Sequence, residues 1–470
     1  MRGSHVNVIR WIVLAAVIVG IVILLRHFLP PKKVDSPATS QFPTRINIVL
    51  DTSASMQGYF SGKTEFKDTV SRLVSALDKL EKDPTKQPCP TSTVFQFATD
   101  SGSIVSTSDD STSFIQKLLN NDLNGQDSLL QEMFRNVVAE SSGTVPVATQ
   151  PANNPSSCPT ASSPSSLSIL ITDSIFSYPD SDIEKNRAVN RENIAGLASA
   201  VQLIFNNART AGMSVSVLAL MSQFHGTYYD YQNAKVMWGS TPRPYYLWMI
   251  GPPANVLALR AFLESESVSP LHTLDFGAQP FDFSPVILQY TDREGIWHRY
   301  NGESPKRIRI TRPVPDDGQK DKEYDSDREV RFAVAIDLSR LSVDQQSPDY
   351  LASHISVQSQ SPDLRIKNVV IKTRAEIESE LDKEDRAAIP QCTHVIVVTT
   401  DVNFAKTAAL TIALQDGVPS WYLDWSNDDD TKMDPHTLES TFGLKYFVEG
   451  IAQAYHITGP IAATTIVLER

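Results

Sequence analysis

The sequence predicts an α/β chain: a doubly wound parallel sheet after an N-terminal transmembrane helix, followed by a β-rich, sandwich-like C-terminal region. Three observations predict it. Between 45 and 265, short apolar runs alternate with segments whose apolar residues recur at helical spacing, the pattern of strands joined by crossover helices. After about 270, strand-like runs dominate. Ahead of both, WIVLAAVIVGIVILL (11–25) is an unbroken apolar run between Arg10 and Arg26.

The N-terminal run, extended by Val8, Ile9 and HFLP, approaches the roughly 20 residues that span a bilayer. The arginines at its ends can snorkel to the interfaces. PPKKVDSP follows it, not a small-residue cleavage pattern, so 10–30 is read as an uncleaved anchor behind a tail at 1–9. Arg2 and Arg10 nearly balance Arg26, Lys32 and Lys33 under the charge rule. A short basic tail is easier to keep inside than to translocate, which puts the bulk of the chain on the non-cytoplasmic, periplasmic side of the cell membrane. Residues 31–44, PKKVDSPATSQFPT, form a linker.

In the first domain, INIVL (46–50), TVFQFA (93–98), LSILIT (167–172), MSVSVLALM (213–221) and YYLWMIG (245–251) read as strands. Helical stripes lie between and after them. Phe66, Val70, Leu73, Leu77 and Leu80 mark one; Leu130, Met133, Phe134 and Val137 another; Leu197, Val201 and Ile204 a third; Val256, Leu259 and Leu263 the last. The Ser/Pro-rich stretch 141–166 reads as a surface loop. In the region 270–470, strands are expected at 285–290, 306–311, 330–338, 354–359, 365–373, 394–400 and 408–414, around a charged loop at 313–328. WYLDW (421–425) reads as a core strand, and WSNDDDT as a solvated acidic turn around Asp428, Asp429 and Asp430. A late helix near 435–455 opens at Asp434-Pro435, an N-cap followed by proline.

With 470 residues and 41% hydrophobic content, the chain has enough material for two or three cores. Its net charge of −12 argues against a nucleic-acid surface. Three cysteines exclude a disulfide scaffold. Cys89 and Cys158 both sit in Pro-rich loops expected at one end of the sheet; they are either a disulfide pair or two free thiols.

The stretch INIVLDTSASMQGYFSGKT (46–64) poses the functional question. A phosphate loop needs four residues between its glycines, but only Tyr59, Phe60 and Ser61 separate Gly58 from Gly62-Lys63-Thr64. The loop also begins far from the strand tip, so a nucleotide is not the expected ligand. Asp51, Ser53 and Ser55, as D-x-S-x-S directly after a buried strand, resemble the metal-ion-dependent adhesion site of von Willebrand factor type A domains. The strand–helix alternation over 45–265 matches that Rossmann-like family fold. The resemblance implies a second aspartate at the tip of the fourth strand, which falls on Asp173 in LSILITDS, with Ser174 where the family has glycine. It also implies a threonine on an intervening loop. None is there; Ser128 stands at that place with Asp127 beside it, and either can supply the oxygen. Hard oxygen donors suit Mg²⁺ or Mn²⁺. In the family, one coordination position receives an Asp or Glu from a protein partner. Without the fold, D-x-S-x-S is only a strand-end turn capping a helix.

The segment after the fifth strand, 222–246, is rich in aromatics, among them Tyr228, Tyr229, Tyr231 and Trp238. Tyr and Trp are favoured at interfaces. Residues 224–242 are therefore either a partner-binding surface beside the metal or a β-hairpin flap packing its own aromatics. His225 and Asp230 within it read as surface polar residues. There is no His-Glu-x-x-His, no nucleophile elbow and no evident general acid or base, so a non-enzymatic binding protein is expected, acting in adhesion or complex assembly. A scaffold whose metal only stabilises loops is the alternative.

Overall fold

The computed structural model describes residues 42–82, 91–98, 103–106, 110–121, 123, 129–142, 165–176, 191–230, 234–300, 306–311, 329–401, 404, 406–431, 434–456 and 459–470. Among these no helix is long and apolar enough to cross a membrane. The apolar run at 10–30, most of the linker, Cys89, Cys158, Asp127, Ser128 and Tyr231 lie outside the described residues.

A seven-stranded mixed sheet organises the first half. Its strands are β1 (Arg45–Asp51), β2 (Ser92–Ala98), β3 (Ile104–Ser106), β4 (Ser166–Thr172), β5 (Ser214–Tyr229), β6 (Lys235–Gly251) and β7 (His272–Phe276). Their order is β3-β2-β1-β4-β6-β5-β7. β1 pairs parallel to both β2 and β4. The expectation of an all-parallel sheet is corrected on the other side: β6 runs antiparallel to both β4 and β5. β5 and β6 form one long hairpin, and β6 inserts between β4 and β5. A buried strand is apolar on both faces whichever way it runs, so composition alone does not give its direction.

Helices cover both faces. Ile48 and Leu50 of β1, Ile169 and Ile171 of β4 and Leu247 and Met249 of β6 pack beneath α1 (Glu65–Lys82), α2 (Ser111–Asn120) and α5 (Pro253–Ser265). Val49, Leu170, Trp248 and Ile250 face the opposite core, under α3 (Leu130–Ser141), α4 (Arg191–Thr210) and α6 (Leu444–Tyr455). The period-2 alternation of each strand thus feeds two cores. α1 also carries Glu65 and Asp68 in its first turn and Lys79 and Lys82 in its last, which complements its dipole.

The second half is a β-sandwich. Five strands, β12 (Ile355–Ser359), β15 (Thr407–Gln415), β16 (Pro460–Glu469), β10 (Lys306–Ile310) and β9 (Trp297–Tyr300), make one sheet. Four more, β13 (Ile366–Thr373), β14 (His394–Asp401), β11 (Glu329–Ile336) and β8 (Val286–Ile287), make the other. Phe332, Val334, Ile396, Leu410, Ile412 and Ile466 meet in its core.

Between β15 and β16 the chain leaves the sandwich and returns to the first sheet. Trp421–Asp424 is a single helical turn, not the expected strand, and Trp421 Nε1 donates to the Thr273 carbonyl at 3.1 Å. Trp421 and Trp425, four residues apart, share one face of a helical turn as they would one face of a strand; Leu423 between them is exposed, which marks the turn. The late helix is present in two pieces: Pro435–Leu438, capped by Asp434, and α6. α6 buries Leu444, Phe447, Val448, Ile451 and Tyr455, roughly 1.5–3 kcal/mol for each large side chain. It packs so tightly on α4 that a Cβ at Gly450 would fall 2.5 Å from the Ala198 carbonyl oxygen, so Gly450→Ala would push the two helices apart.

Candidate metal centre

Going from β1 the chain moves to β2 on one side and later to β4 on the other. The crevice between β1 and β4 is therefore the switch point of the sheet, where α/β folds hold ligands beyond the strand ends. Asp51 is the last residue of β1 and Asp173 follows the last residue of β4, so the topology brings the two carboxylates to the same crevice. Both are 2% exposed.

The loop after β1 is built by its own polar residues. Ser53 N–H donates to Asp51 Oδ1 at 2.9 Å, an Asx turn that folds the chain back at once. The Thr52 hydroxyl donates to the Ala98 carbonyl at 2.7 Å, and Gln57 Nε2 donates to the Leu123 carbonyl at 2.6 Å. The Ser53 and Ser55 hydroxyls are 3.0 Å apart. Ser53 is buried and Ser55 half-buried. The chain then makes a one-turn helix, Gln57–Phe60, pressed on β5: a Cβ at Gly226 would lie 3.0 Å from Gly58 Cα. Thr64, in the phosphate-loop-like stretch, donates its hydroxyl to the Tyr59 carbonyl at 2.7 Å, and Lys63 is exposed.

On the β4 side, Thr172 donates its hydroxyl to Asp51 Oδ2 at 2.8 Å and links the two strand tips. Asp173 Oδ1 accepts from Ile175 N–H at 3.1 Å, while Oδ2 is buried and makes no hydrogen bond. Ser174, where the resemblance led us to expect glycine, has φ of 57°, and its hydroxyl accepts from Trp248 Nε1 at 2.9 Å. Serine thus adopts the left-handed turn and gains a buried partner in return.

The electrostatics follow from burial. Desolvation, then the neighbouring Asp173 charge, push the Asp51 carboxyl up from 3.8 to about 6. Burial also raises Asp173, against the Ile175 N–H, Arg243 and Ser55, which favour its charged form. Arg243 enters here from β6. It is fully buried, with Tyr228 4.3 Å and Phe224 5.4 Å from its guanidinium carbon.

The aromatic segment is the hairpin itself, and its aromatics divide. Tyr228 is 2% exposed and its hydroxyl donates to Asp430 Oδ2 at 2.5 Å. Its expected place on a partner-binding surface is therefore corrected: the ring covers Arg243 and packs inside. Tyr229 stays half-buried, with Lys235 Nζ 5.6 Å from its ring. Trp238 lies on β6, its side chain outside the described residues, as is Tyr231. Asp230 is buried and accepts from Ala234 N–H at 2.8 Å, closing the hairpin end, so it is not a surface residue. Asp430, expected in solvent, is 0% exposed.

Sequence reading missed Thr172 and Arg243. Thr172 had a signal: it is the last residue of β4, next to Asp173 at the same strand tip. Arg243, in TPRPYY, reads as a loop cation. Among the described residues no group of three or more His, Cys, Asp or Glu converges on one point. The donor set is instead two carboxylates and two serine hydroxyls, hard oxygens throughout. No protein-family model, curated protein or solved structure matches the chain.

Proposed function

We propose that this chain is a membrane-anchored protein-binding module of the von Willebrand factor type A kind, which uses Mg²⁺ or Mn²⁺ to hold an Asp or Glu of a protein partner. The observation that carries this reading is the pairing of Asp51 with Asp173 across the switch-point crevice, with Asp173 Oδ2 buried and unpartnered. Two buried carboxylates at one place repel, and a hard divalent cation removes that repulsion. The Ser53 and Ser55 hydroxyls, 3.0 Å apart, fit the same ion. Asp51, Ser53, Ser55 and Asp173 would hold it, with Ser128 or Asp127 completing the set. Such an ion supplies an electrophilic contact for a carboxylate. The protein's own residues bury and orient the donors.

The segment at 10–30 anchors the module in the cell membrane, with the bulk of the chain on the periplasmic side, and no nucleotide or nucleic acid takes part. The sandwich carries the module in an envelope adhesion or assembly complex. Ser53→Ala and Asp173→Ala test this in two readouts: Mn²⁺-dependent retention of envelope proteins on the immobilised chain, and thermal unfolding. Retention is expected to vanish while the fold persists. Lower stability with unchanged retention would instead favour a scaffold whose metal only stabilises loops.

A further inference from the structure

Arg243 has no role in that reading, yet the fold takes pains to place it. It lies on β6 opposite Ser222 of β5, three residues before Tyr246, which pairs with Thr172 at the end of β4. This puts it at the crevice end of the sheet. Its side chain is 1% exposed and held between the Tyr228 and Phe224 rings. Neither Nη1 nor Nη2 has a hydrogen-bond partner, and neither has Asp173 Oδ2. Two buried groups of opposite charge thus share one end of the sheet without forming an ion pair. The guanidinium is held by two aromatic rings and the Tyr59 side chain, with no carboxylate bonded to it, so its charge stays available to the crevice. Asp430, at the Tyr228 hydroxyl, is the other buried acid of this neighbourhood.

The charge balance at the crevice then has a consequence. Arg243 offsets one of the negative charges that Asp51, Asp173 and the neighbouring buried Asp430 bring to this end of the sheet. A divalent cation must bind against that positive charge, and a carboxylate that follows the cation is attracted by both. We propose that Arg243 is a specificity-determining residue: it weakens the hold on a divalent cation alone and makes the loaded site one charge more positive, so that cation and carboxylate bind together. The inference rests on the metal reading above and names what that site selects. A partner's acidic side chain completes the site, and a neutral one does not.

The test is Mn²⁺ binding to the purified full-length chain, read from the loss of the free-ion electron paramagnetic resonance signal. It is run in acetate and in acetamide, with the weak Mn²⁺–acetate complex subtracted. In the wild type, acetate is expected to tighten Mn²⁺ about tenfold or more relative to acetamide. Arg243→Met is expected to tighten Mn²⁺ alone by a similar factor and to abolish the acetate effect. Arg243→Lys, which keeps the charge, should retain that effect. If Arg243→Met does not fold, as judged by circular dichroism, Arg243→Gln carries the same expectation, and an acetate effect that persists in Arg243→Gln would overturn the role of Arg243. Mn²⁺ binding that Asp51→Ala removes, but that ignores both acetate and Arg243, would overturn this inference and leave the metal reading standing. No Mn²⁺ binding in any arm would overturn both.

Discussion

Two buried aspartates, one in each half of the molecule, show opposite uses of the same side chain. Asp385, 0% exposed in the sandwich region, accepts from the N–H groups of Gln289, Tyr290 and Thr291 at 2.7–2.8 Å and from the Thr291 hydroxyl at 3.0 Å. Arg299 stands 3.9 Å away. Both oxygens are engaged by the chain itself, so this carboxylate is architecture. Asp173 is equally buried but accepts one backbone N–H, leaves Oδ2 without a partner and faces a second carboxylate. A protein that buries a charge and does not satisfy it has kept it for something else.

The sharpest way to break this contrast is to remove each charge in turn. Asp385→Ala strips the acceptor from three backbone N–H groups and is expected to lose about 3–5 kcal/mol in chemical denaturation, with Mn²⁺ binding unchanged in whatever remains folded. Asp173→Asn removes a charge the fold does not satisfy. It should leave stability within about 1 kcal/mol of wild type, or raise it, while abolishing Mn²⁺ binding. Equal losses in both variants would erase the distinction.

The pH dependence sharpens it next. Asp51 titrates near 6 in the folded chain against 3.8 ordinarily. A raised carboxyl holds its proton in the fold when the unfolded chain has already released it. Its contribution is therefore fully present below about pH 4, is lost as pH rises through about 6, and is flat above; the drop is on the order of 3 kcal/mol without divalent cation. Unfolding free energies measured from pH 4 to 7 in chelator should show this slope, and Asp51→Asn should remove it.

Smaller effects separate the aromatics of the hairpin. Tyr228→Phe takes the donor from buried Asp430 and should cost about 1–3 kcal/mol in thermal unfolding. Tyr229→Phe, at a half-buried ring, should change stability by less than about 0.5 kcal/mol. The smallest effect is expected at Ser174. Glycine there relieves the positive φ but removes the acceptor of Trp248 Nε1, and the two terms, about 1 kcal/mol each, should nearly cancel. Ser174→Ala keeps the strain, loses the acceptor and should unfold at a lower temperature than either.

These contrasts were only partly legible in the sequence. β1 and β4 are unbroken apolar runs that end in Asp51 and Asp173, so strand ends and carboxylates could be placed together. The helical stripes of α1, α3 and α5 likewise appear where the spacing puts them. The direction of β6 was not legible, because a strand buried on both faces has no sign of its orientation. Nor was the packing of α6 on α4: an apolar face states that it is covered, not by which of two cores. The short strand Trp297–Tyr300 was hidden by its exposed His298 and Tyr300. Arg243 and Asp430 were hidden for one reason. A charged residue reads as solvated until its partners, Tyr228 among them, are brought to it from distant parts of the chain.

The most direct measurement is a calorimetric titration of Mn²⁺ in acetate into the full-length chain, beside an Asp51→Ala, Asp173→Ala double variant. One saturable site in the wild type, lost in a double variant that unfolds at the same temperature or higher, is the expected result. A double variant that binds Mn²⁺ as the wild type does, or a wild type that binds none, would contradict a metal centre at the β1–β4 crevice.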